Sequence, residues 1–185
     1  MISLELVPRS IEGIVTEAQQ AVKQFDQIDF INIPDVLRLP TRSWDATSAL
    51  LDVNIQAIPH IRAMDHTLDG LVNILSPLLS KGLQKIIIIS GDVPKETQKF
   101  SPSGQTPISL SKGLKKALPQ LEVYGALDPY RNSMKKELAY AQEKMEAGMV
   151  GLFSQPFFDV RLLDIYLDQL KGIPFFAGLS PVTSD

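Results

Sequence analysis

KIIIISGD, residues 85–92, decides the fold class of this chain. Four consecutive isoleucines form an uninterrupted β-branched run, and such a run is typical of a strand buried on both faces of a parallel sheet. The Ser-Gly-Asp that follows marks a turn at the end of that strand. The stretch therefore predicts a central strand of a parallel sheet, with polar residues just beyond its carboxyl end.

Similar short apolar runs recur on both sides of this stretch, at intervals of somewhat under 30 residues. The seven predicted strands begin near Ile2, Asp29, Ala57, Lys85, Glu122, Met149 and Pro174. Longer amphipathic segments separate them, which is the βα rhythm of a parallel sheet. Six helices are predicted: after Ser10, from about Ser43, after Thr67, after Thr106-Pro107, from Ser133 to Gly148, and from Val160 to Leu170. Pro77 is expected to kink or split the third helix.

The nearly constant unit length favours an α/β fold of the (β/α)₈ TIM-barrel type over a doubly wound sheet. The absence of a glycine-rich dinucleotide fingerprint and of a P-loop favours the same choice. Such barrels usually need about 250 residues, and this sequence stops just after the seventh strand. We therefore expect residues 1–185 to form a single TIM-barrel catalytic domain that lacks the final βα elements. The first and last strands would then be bare edges, for which a partner or a second copy in a homo-oligomer is the expected cover.

Composition excludes several classes of function. The chain has no cysteine and two histidines, so disulfides, thiolate metal sites and histidine-built metal centres are excluded. A net charge of −3 without runs of like charge argues against a nucleic-acid or polybasic membrane surface. No segment reaches the roughly 18 apolar residues of a membrane span, and no leader is evident, so we expect a cytoplasmic protein.

Polar residues follow most of the predicted strands, where barrel enzymes place their working groups. They are Asp35, Asp65, Asp92, Asp128, Gln155 and Asp159. For all of these aspartates except Asp92, helix capping and loop solvation are the favoured roles. Glu5 differs because it lies inside the first strand, where burial would raise its pKa and keep it protonated, as a general acid requires. An ion pair with a lysine or arginine of a neighbouring strand is an equal alternative.

Three further features have two interpretations each. The long connection from Asp92 to Gln105 is a candidate lid or cofactor loop, although a plain surface loop is favoured. The loop leads into the helix that starts at Thr106, whose unpaired backbone amides could hold an anion. Glu137 and Lys144 share the fifth helix and lie near the catalytic face only if that helix tilts inward, whereas a solvated helix face explains them equally well. His60 alone predicts a hydrogen-bonded core histidine more than a catalyst.

Five strings at the ends of successive strands, namely SLELVP, PHIRAMDHT, SGD, QPFFD and GLSPV, resemble the landmarks of the methylenetetrahydrofolate reductase family. The resemblance spans essentially the whole chain. It implies an FAD-containing (β/α)₈ barrel that takes a hydride from NADH or NADPH and passes it to 5,10-methylenetetrahydrofolate. The product would be 5-methyltetrahydrofolate, a step of one-carbon metabolism and methionine biosynthesis.

The resemblance also implies roles for single residues. Glu5 matches the acid that opens the five-membered ring of the folate, and Asp92 matches an aspartate that stabilises the cationic iminium intermediate beside the flavin. Gln155 matches a glutamine that contacts substrate. The cofactor-binding set implied in this way is His60, Ser90, Gly91, Asp92, Glu137 and Lys144.

The chain departs from the family pattern at three places. It has Ser90 where an arginine is usual, Ala126 where a flavin-contacting tyrosine would fall, and Pro34 where a threonine is usual. These departures concern flavin affinity more than folate recognition. Two alternatives therefore remain: a non-reducing folate-binding paralogue or partner subunit, and a folate-linked methyltransferase on a similar barrel.

Overall fold

The computed structural model describes residues 1–93 and 101–181. Its strands are β1 Ile2–Glu5, β2 Ile28–Ile33, β3 Ala57–Arg62, β4 Lys85–Ile89, β5 Glu122–Leu127, β6 Gly151–Pro156 and β7 Phe175–Gly178. Its helices are α1 Ile11–Gln24, α2 Ser43–Asp52, α3 Leu68–Ser80, α4 Pro107–Ala117, α5 Met134–Glu146 and α6 Val160–Gln169, with a 3₁₀ turn at Ala63–Asp65.

The strands form one parallel sheet in the order β1-β2-β3-β4-β5-β6-β7. Each strand thus pairs with its neighbours in sequence, and the sheet curls into a half-barrel with the helices outside. The predicted α/β class and the incomplete TIM barrel are confirmed. Over residues 1–93 and 101–181, the pairing leaves β1 and β7 as the two edges of the sheet.

Local sequence accounts for most of the helix starts. Ser10 and Thr67 each accept a hydrogen bond from the backbone N–H three residues on, and Thr106 forms a capping box with Ser109. Pro77 does not split α3, which continues to Ser80. Because proline has no backbone N–H, Pro77 removes one intrahelical hydrogen bond near the carboxyl end of α3, and the helix continues for three further residues.

Side chains alternate between the two faces of each strand, so the apolar residues form one layer toward the helices and another on the inner face of the sheet. Ile86 and Ile88 of β4 point outward and are fully buried among leucines of α3 and α4. This outer layer is the main core, as expected for a sheet covered by helices. None of the described helices has both the length and the apolar character that crossing a membrane requires.

The inner face of the sheet carries an interior aromatic cluster formed by Phe30, Tyr124, Phe153 and Phe176. The rings of Phe153 and Phe176 stack with centroids 4.3 Å apart and an interplanar angle of 9°. Phe30 of β2 meets Phe176 of β7 edge to face at 5.5 Å. The cluster therefore spans the interior from one side of the half-barrel to the other and forms the floor beneath the carboxyl ends of the strands.

Candidate active site at the carboxyl ends of the strands

All seven strands run in the same direction, so the residues at or just beyond their carboxyl ends share one face of the molecule. Six predicted site residues lie there: Glu5, His60, Ser90, Gly91, Asp92 and Gln155. Asp92 and Gln155 are exposed on this face. Their common location makes it the candidate active site.

A hydrogen-bonded chain crosses the inner face above the aromatic floor, and we call it the polar layer: Ser3, Asn32 and His60. The Asn32 side-chain amide donates to Ser3 Oγ at 2.8 Å, and its Oδ1 lies 3.1 Å from His60 Nε2. Burial lowers the pKa of His60 to about 4, so the imidazole is neutral near pH 7. Because Asn32 Oδ1 can only accept, the neutral ring donates its Nε2–H to it.

Glu5 extends this polar layer toward the mouth of the half-barrel. It lies two residues beyond Ser3, on the same face of β1, and is paired in register with Asn32 of β2. Glu5 is exposed by surface area, and partial burial of its carboxyl group within β1 raises the pKa of that group. No lysine or arginine nitrogen of the described residues lies within 4.0 Å of the carboxylate. The ion-pair alternative therefore has no support among them, and the raised pKa is a shift in the direction that a general acid needs.

The turn after β4 contains Ser90, Gly91 and Asp92 and packs closely against β3. Gly91 has φ +87°, a conformation that residues with a side chain rarely adopt. A Cβ at Gly91 would lie 3.1 Å from Arg62 Cζ. Arg62 Nη2 donates to the backbone oxygen of Asp92 at 2.6 Å. The connection from Asp92 to Gln105, a candidate lid or cofactor loop or a plain surface loop, begins at this turn, and its residues 94–100 lie outside the described residues.

A network of buried charges joins the loops after β2 and β3. Arg42 pairs with Asp35 and lies 3.6 Å from Asp65, and Arg62 Nε donates to Asp65 at 2.8 Å. Burial raises the pKa of Asp35, and Arg42 opposes that shift. Helix capping and loop solvation are the favoured sequence interpretations of Asp35 and Asp65. Asp35 does accept from the Ser43 N–H at 3.4 Å, but both aspartates also belong to this network.

Sequence reasoning missed Arg42 and Arg62. A signal was present in PHIRAMD, where Arg62 and Asp65 stand three residues apart. That spacing brings side chains together in a single turn of helix, and residues 63–65 form one. The two remaining aspartates have the expected local roles, since Asp128 accepts from the Tyr130 N–H at 2.9 Å and Asp159 caps α6.

Glu137 and Lys144 lie apart from the polar layer, on α5 behind β5. The Glu137 carboxylate is 1% exposed and accepts hydrogen bonds from the Arg131 guanidinium at 3.1 Å and from Asn132 at 2.7 Å. Lys144 is 3% exposed and donates to the backbone oxygen of Ala126. Burial lowers the pKa of Lys144 to about 8. The solvated helix face, one of the two interpretations offered by the sequence, is therefore wrong for both residues.

Lys144 reaches β5 because Gly125 leaves room for it. A Cβ at Gly125 would lie 2.9 Å from Lys144 Cδ. The Lys144 ammonium lies 4.0 Å from the centre of the Tyr140 ring, a cation–π contact.

The chemistry of these side chains fits the FAD that the resemblance implies. The polar layer contains a neutral imidazole and an amide, groups that can hydrogen-bond the polar edge of a planar ring. Lys144 is a buried cation whose pKa is lowered by burial and by Arg131, while the Glu137 carboxylate partly opposes that shift, and a phosphate would add further negative charge beside it. Glu137 and Lys144 are already bonded within the protein, so contact with a cofactor requires them to exchange those bonds. Among the residues that the structure describes, no three acidic or histidine side chains converge on a metal position.

Comparison with known proteins finds one matching family and several named relatives. The family model for methylenetetrahydrofolate reductase matches residues 1–184. The 5,10-methylenetetrahydrofolate reductase of Escherichia coli (strain K12) is 25% identical over 134 residues, which are 70% of this chain and 45% of that protein. The enzyme of the same name from Pectobacterium carotovorum is 26% identical over 134 residues, again 70% of this chain and 45% of that protein. The match thus covers under half the length of these relatives.

Solved structures show the same architecture at lower identity. A pyruvate carboxylase from Rhizobium etli superposes with a TM-score of 0.62 and 16% identity, over 93% of this chain and 17% of that one. Its carboxyl transferase domain gives 0.61 and 16%, over 98% of this chain and 32% of that one. At this identity the likeness concerns the fold alone.

Proposed function

The chain belongs to the methylenetetrahydrofolate reductase family, and from that premise we propose that it reduces 5,10-methylenetetrahydrofolate to 5-methyltetrahydrofolate. The hydride donor would be NADH or NADPH, with FAD as the bound cofactor. Residues 1–185 would act as one catalytic barrel domain. The observation that carries the proposal is Glu5, a carboxyl group with a raised pKa at the mouth of the half-barrel, in register with Asn32 of the polar layer.

Glu5 would provide the proton that this reduction needs. Opening the five-membered ring of the folate breaks a carbon–nitrogen bond, and the nitrogen leaves as a neutral amine only if it receives a proton. Burial keeps Glu5 protonated at a higher pH than a free carboxyl group. The carbon left behind is a cationic iminium, which then accepts the hydride.

The other residues of this face would hold and stabilise that cation. Asp92 is exposed on the turn after β4 and offers a negative charge to it. Gln155, exposed at the end of β6, offers an amide to the folate ring. Both assignments follow the family resemblance and agree with the position of the two residues.

The cofactor would be held by the residues named from the resemblance. They are His60, Ser90, Gly91, Asp92, Glu137 and Lys144. When bound, FAD supplies the hydride relay that no amino-acid side chain can supply. The protein's part would be to present a neutral His60 and a positive Lys144 to the cofactor, with the carboxyl group of Glu5, whose pKa is raised, nearby.

The burial of Glu137 and Lys144 favours one alternative, a folate-binding protein that does not reduce its ligand. Both side chains are satisfied by protein partners. If those bonds are never exchanged, the phosphates of the cofactor have no cation on α5, and tight flavin binding is lost. The folate pocket at the strand ends would remain.

Purification of the full chain distinguishes the reductase from the non-reducing folate-binding protein. Under the proposal the protein is yellow or takes up added FAD, releases FAD on denaturation, and reduces the folate with NADH or NADPH. The Glu5→Gln variant should bind FAD equally well and reduce the folate about 10²–10⁴-fold more slowly. A protein that binds folate but neither holds nor takes up FAD would establish the alternative, and one that binds neither ligand would refute both.

A further inference from the structure

Arg62 is a buried arginine to which neither the sequence nor the family comparison assigns a role. It ends β3 and is 6% exposed. The register of β3 with β4 pairs Arg62 with Ile89, the residue before the Ser90–Asp92 turn. Its guanidinium therefore lies directly against the turn that carries Asp92.

Two observations show that the turn is built onto this guanidinium. Arg62 Nη2 donates to the backbone oxygen of Asp92 at 2.6 Å, a charge-assisted hydrogen bond. Independently, Gly91 has a positive φ, and a Cβ there would lie 3.1 Å from Arg62 Cζ and 3.2 Å from Arg62 Cβ. The close approach thus depends on the residue without a side chain.

The direction of the guanidinium is itself fixed from the other side. Arg62 Nε donates to Asp65 Oδ2 at 2.8 Å. Asp65 also lies 3.6 Å from Arg42, which pairs with Asp35 and lies 4.8 Å from the centre of the Trp44 ring. The planar fork of an arginine can hold two acceptors at set angles, whereas the ammonium of a lysine cannot.

We propose that Arg62 is a positioning residue: it fixes the backbone of Gly91–Asp92 and thereby sets where the Asp92 carboxylate stands at the mouth of the half-barrel. The inference rests on the proposed function, in which that carboxylate stabilises the folate cation. Arg62 acts through Asp92, because its own guanidinium is turned to the backbone and to Asp65. A misplacement of about 1 Å can reduce a rate by about 100-fold.

The contact is tested first without any reaction. In Arg62→Met the carbon signal of the Asp92 carbonyl should move upfield, as the loss of a donated hydrogen bond requires, and Arg62→Lys should shift it less. Arg161→Met is the matched control, since Arg161 is on the same face with its side chain 90% exposed and pairs with Asp159. NMR signals of β4 report whether each variant is folded. An unmoved Asp92 carbonyl in folded Arg62→Met would overturn the proposal.

A double-mutant cycle with Asp92→Asn then tests the route of action. Arg62→Met alone should lower kcat by about 100-fold with little change in the KM for folate. In the Asp92→Asn background the same change should cost no more than about twofold, because the carboxylate through which Arg62 acts has already lost its charge. A second loss of about 100-fold in that background would show that Arg62 does not act through Asp92.

Arg62→Lys keeps the test open if Arg62→Met does not fold. Arg62→Lys retains the positive charge, so the variant should fold and should keep a kcat below that of the wild type. A kcat equal to that of the wild type would contradict the requirement for the planar guanidinium. Failure of the function proposal is distinguishable: wild-type protein without folate reduction refutes that function, while the Asp92 carbonyl shift still decides whether Arg62 positions the turn.

Discussion

Replacement of Glu5 by glutamine removes a transferable proton while nearly preserving size and polarity. A general acid contributes typically 10²–10⁴-fold to a rate, so folate reduction should fall by about that factor. The loss corresponds to about 2.7–5.5 kcal/mol of transition-state stabilisation. Reduction of the flavin by the nicotinamide needs no acid from β1, so that half-reaction should continue nearly unchanged.

The stability of the same variant should change in the opposite direction. Burial raises the pKa of Glu5 in the folded chain above its ordinary value of 4.5. The unfolded chain then releases this proton more readily, so the wild type loses stability as the pH rises from about 4.5 through the folded pKa. Glutamine does not titrate, and Glu5→Gln should therefore be at least as stable as the wild type at neutral pH.

Stopped-flow measurement of the two half-reactions, with urea unfolding at acidic and neutral pH, tests both expectations. Glu12→Gln is the control, because Glu12 is an exposed carboxylate in the first turn of α1. If Glu5→Gln slowed both half-reactions equally, or lowered the stability at neutral pH, the acid assignment would be withdrawn. Glu5 would then be a structural residue of the barrel interior.

Three other perturbations give separate outcomes. An NMR titration of His60 should have its midpoint near pH 4. The stability that the neutral ring contributes should be fully present above its ordinary pKa of 6.5 and should be lost as the pH falls toward 4. A midpoint near 6.5 would contradict the burial argument. Glu137→Gln should cost about 1.5–3 kcal/mol in urea unfolding because it weakens charge-assisted hydrogen bonds, whereas the exposed Glu143→Gln on the same helix should cost little. Gly91→Ala should cost about 1–3 kcal/mol in thermal unfolding, and more than Gly104→Ala, which shares a positive φ but has open space at its Cβ; equal costs would refute the close contact.

The strands and helices could be predicted because their signals are local. An apolar run such as Ile86–Ile89 and a cap such as Thr106 act through residues a few positions away. The predicted start of β6 at Met149 was two residues early, since Met149 is buried in the helix-facing core before the strand begins at Gly151. Register was not needed to obtain the fold class, because every connection repeats the same unit.

The site was predicted less completely because its contacts join separate elements. Placing Glu5 at the strand ends needed only its position in β1. The contact of Arg62 with the Asp92 backbone depends on the register of β3 with β4, which single-sequence patterns do not contain. The burial of Lys144 depends on the room left by Gly125 on another element, so the pattern of α5 alone left its environment open.

The contact between Phe30 and Phe176 has a consequence for how the chain is made. Each new strand can add to the growing sheet as soon as it leaves the ribosome, because sequence neighbours are sheet neighbours. Phe30 must instead wait for a ring almost a whole chain away, and such distant contacts form late. During synthesis the rings of Phe30 and Phe153 therefore lack their contacts with Phe176 until β7 emerges, and we expect the inner face of the sheet to pack later than its helix-covered outer face.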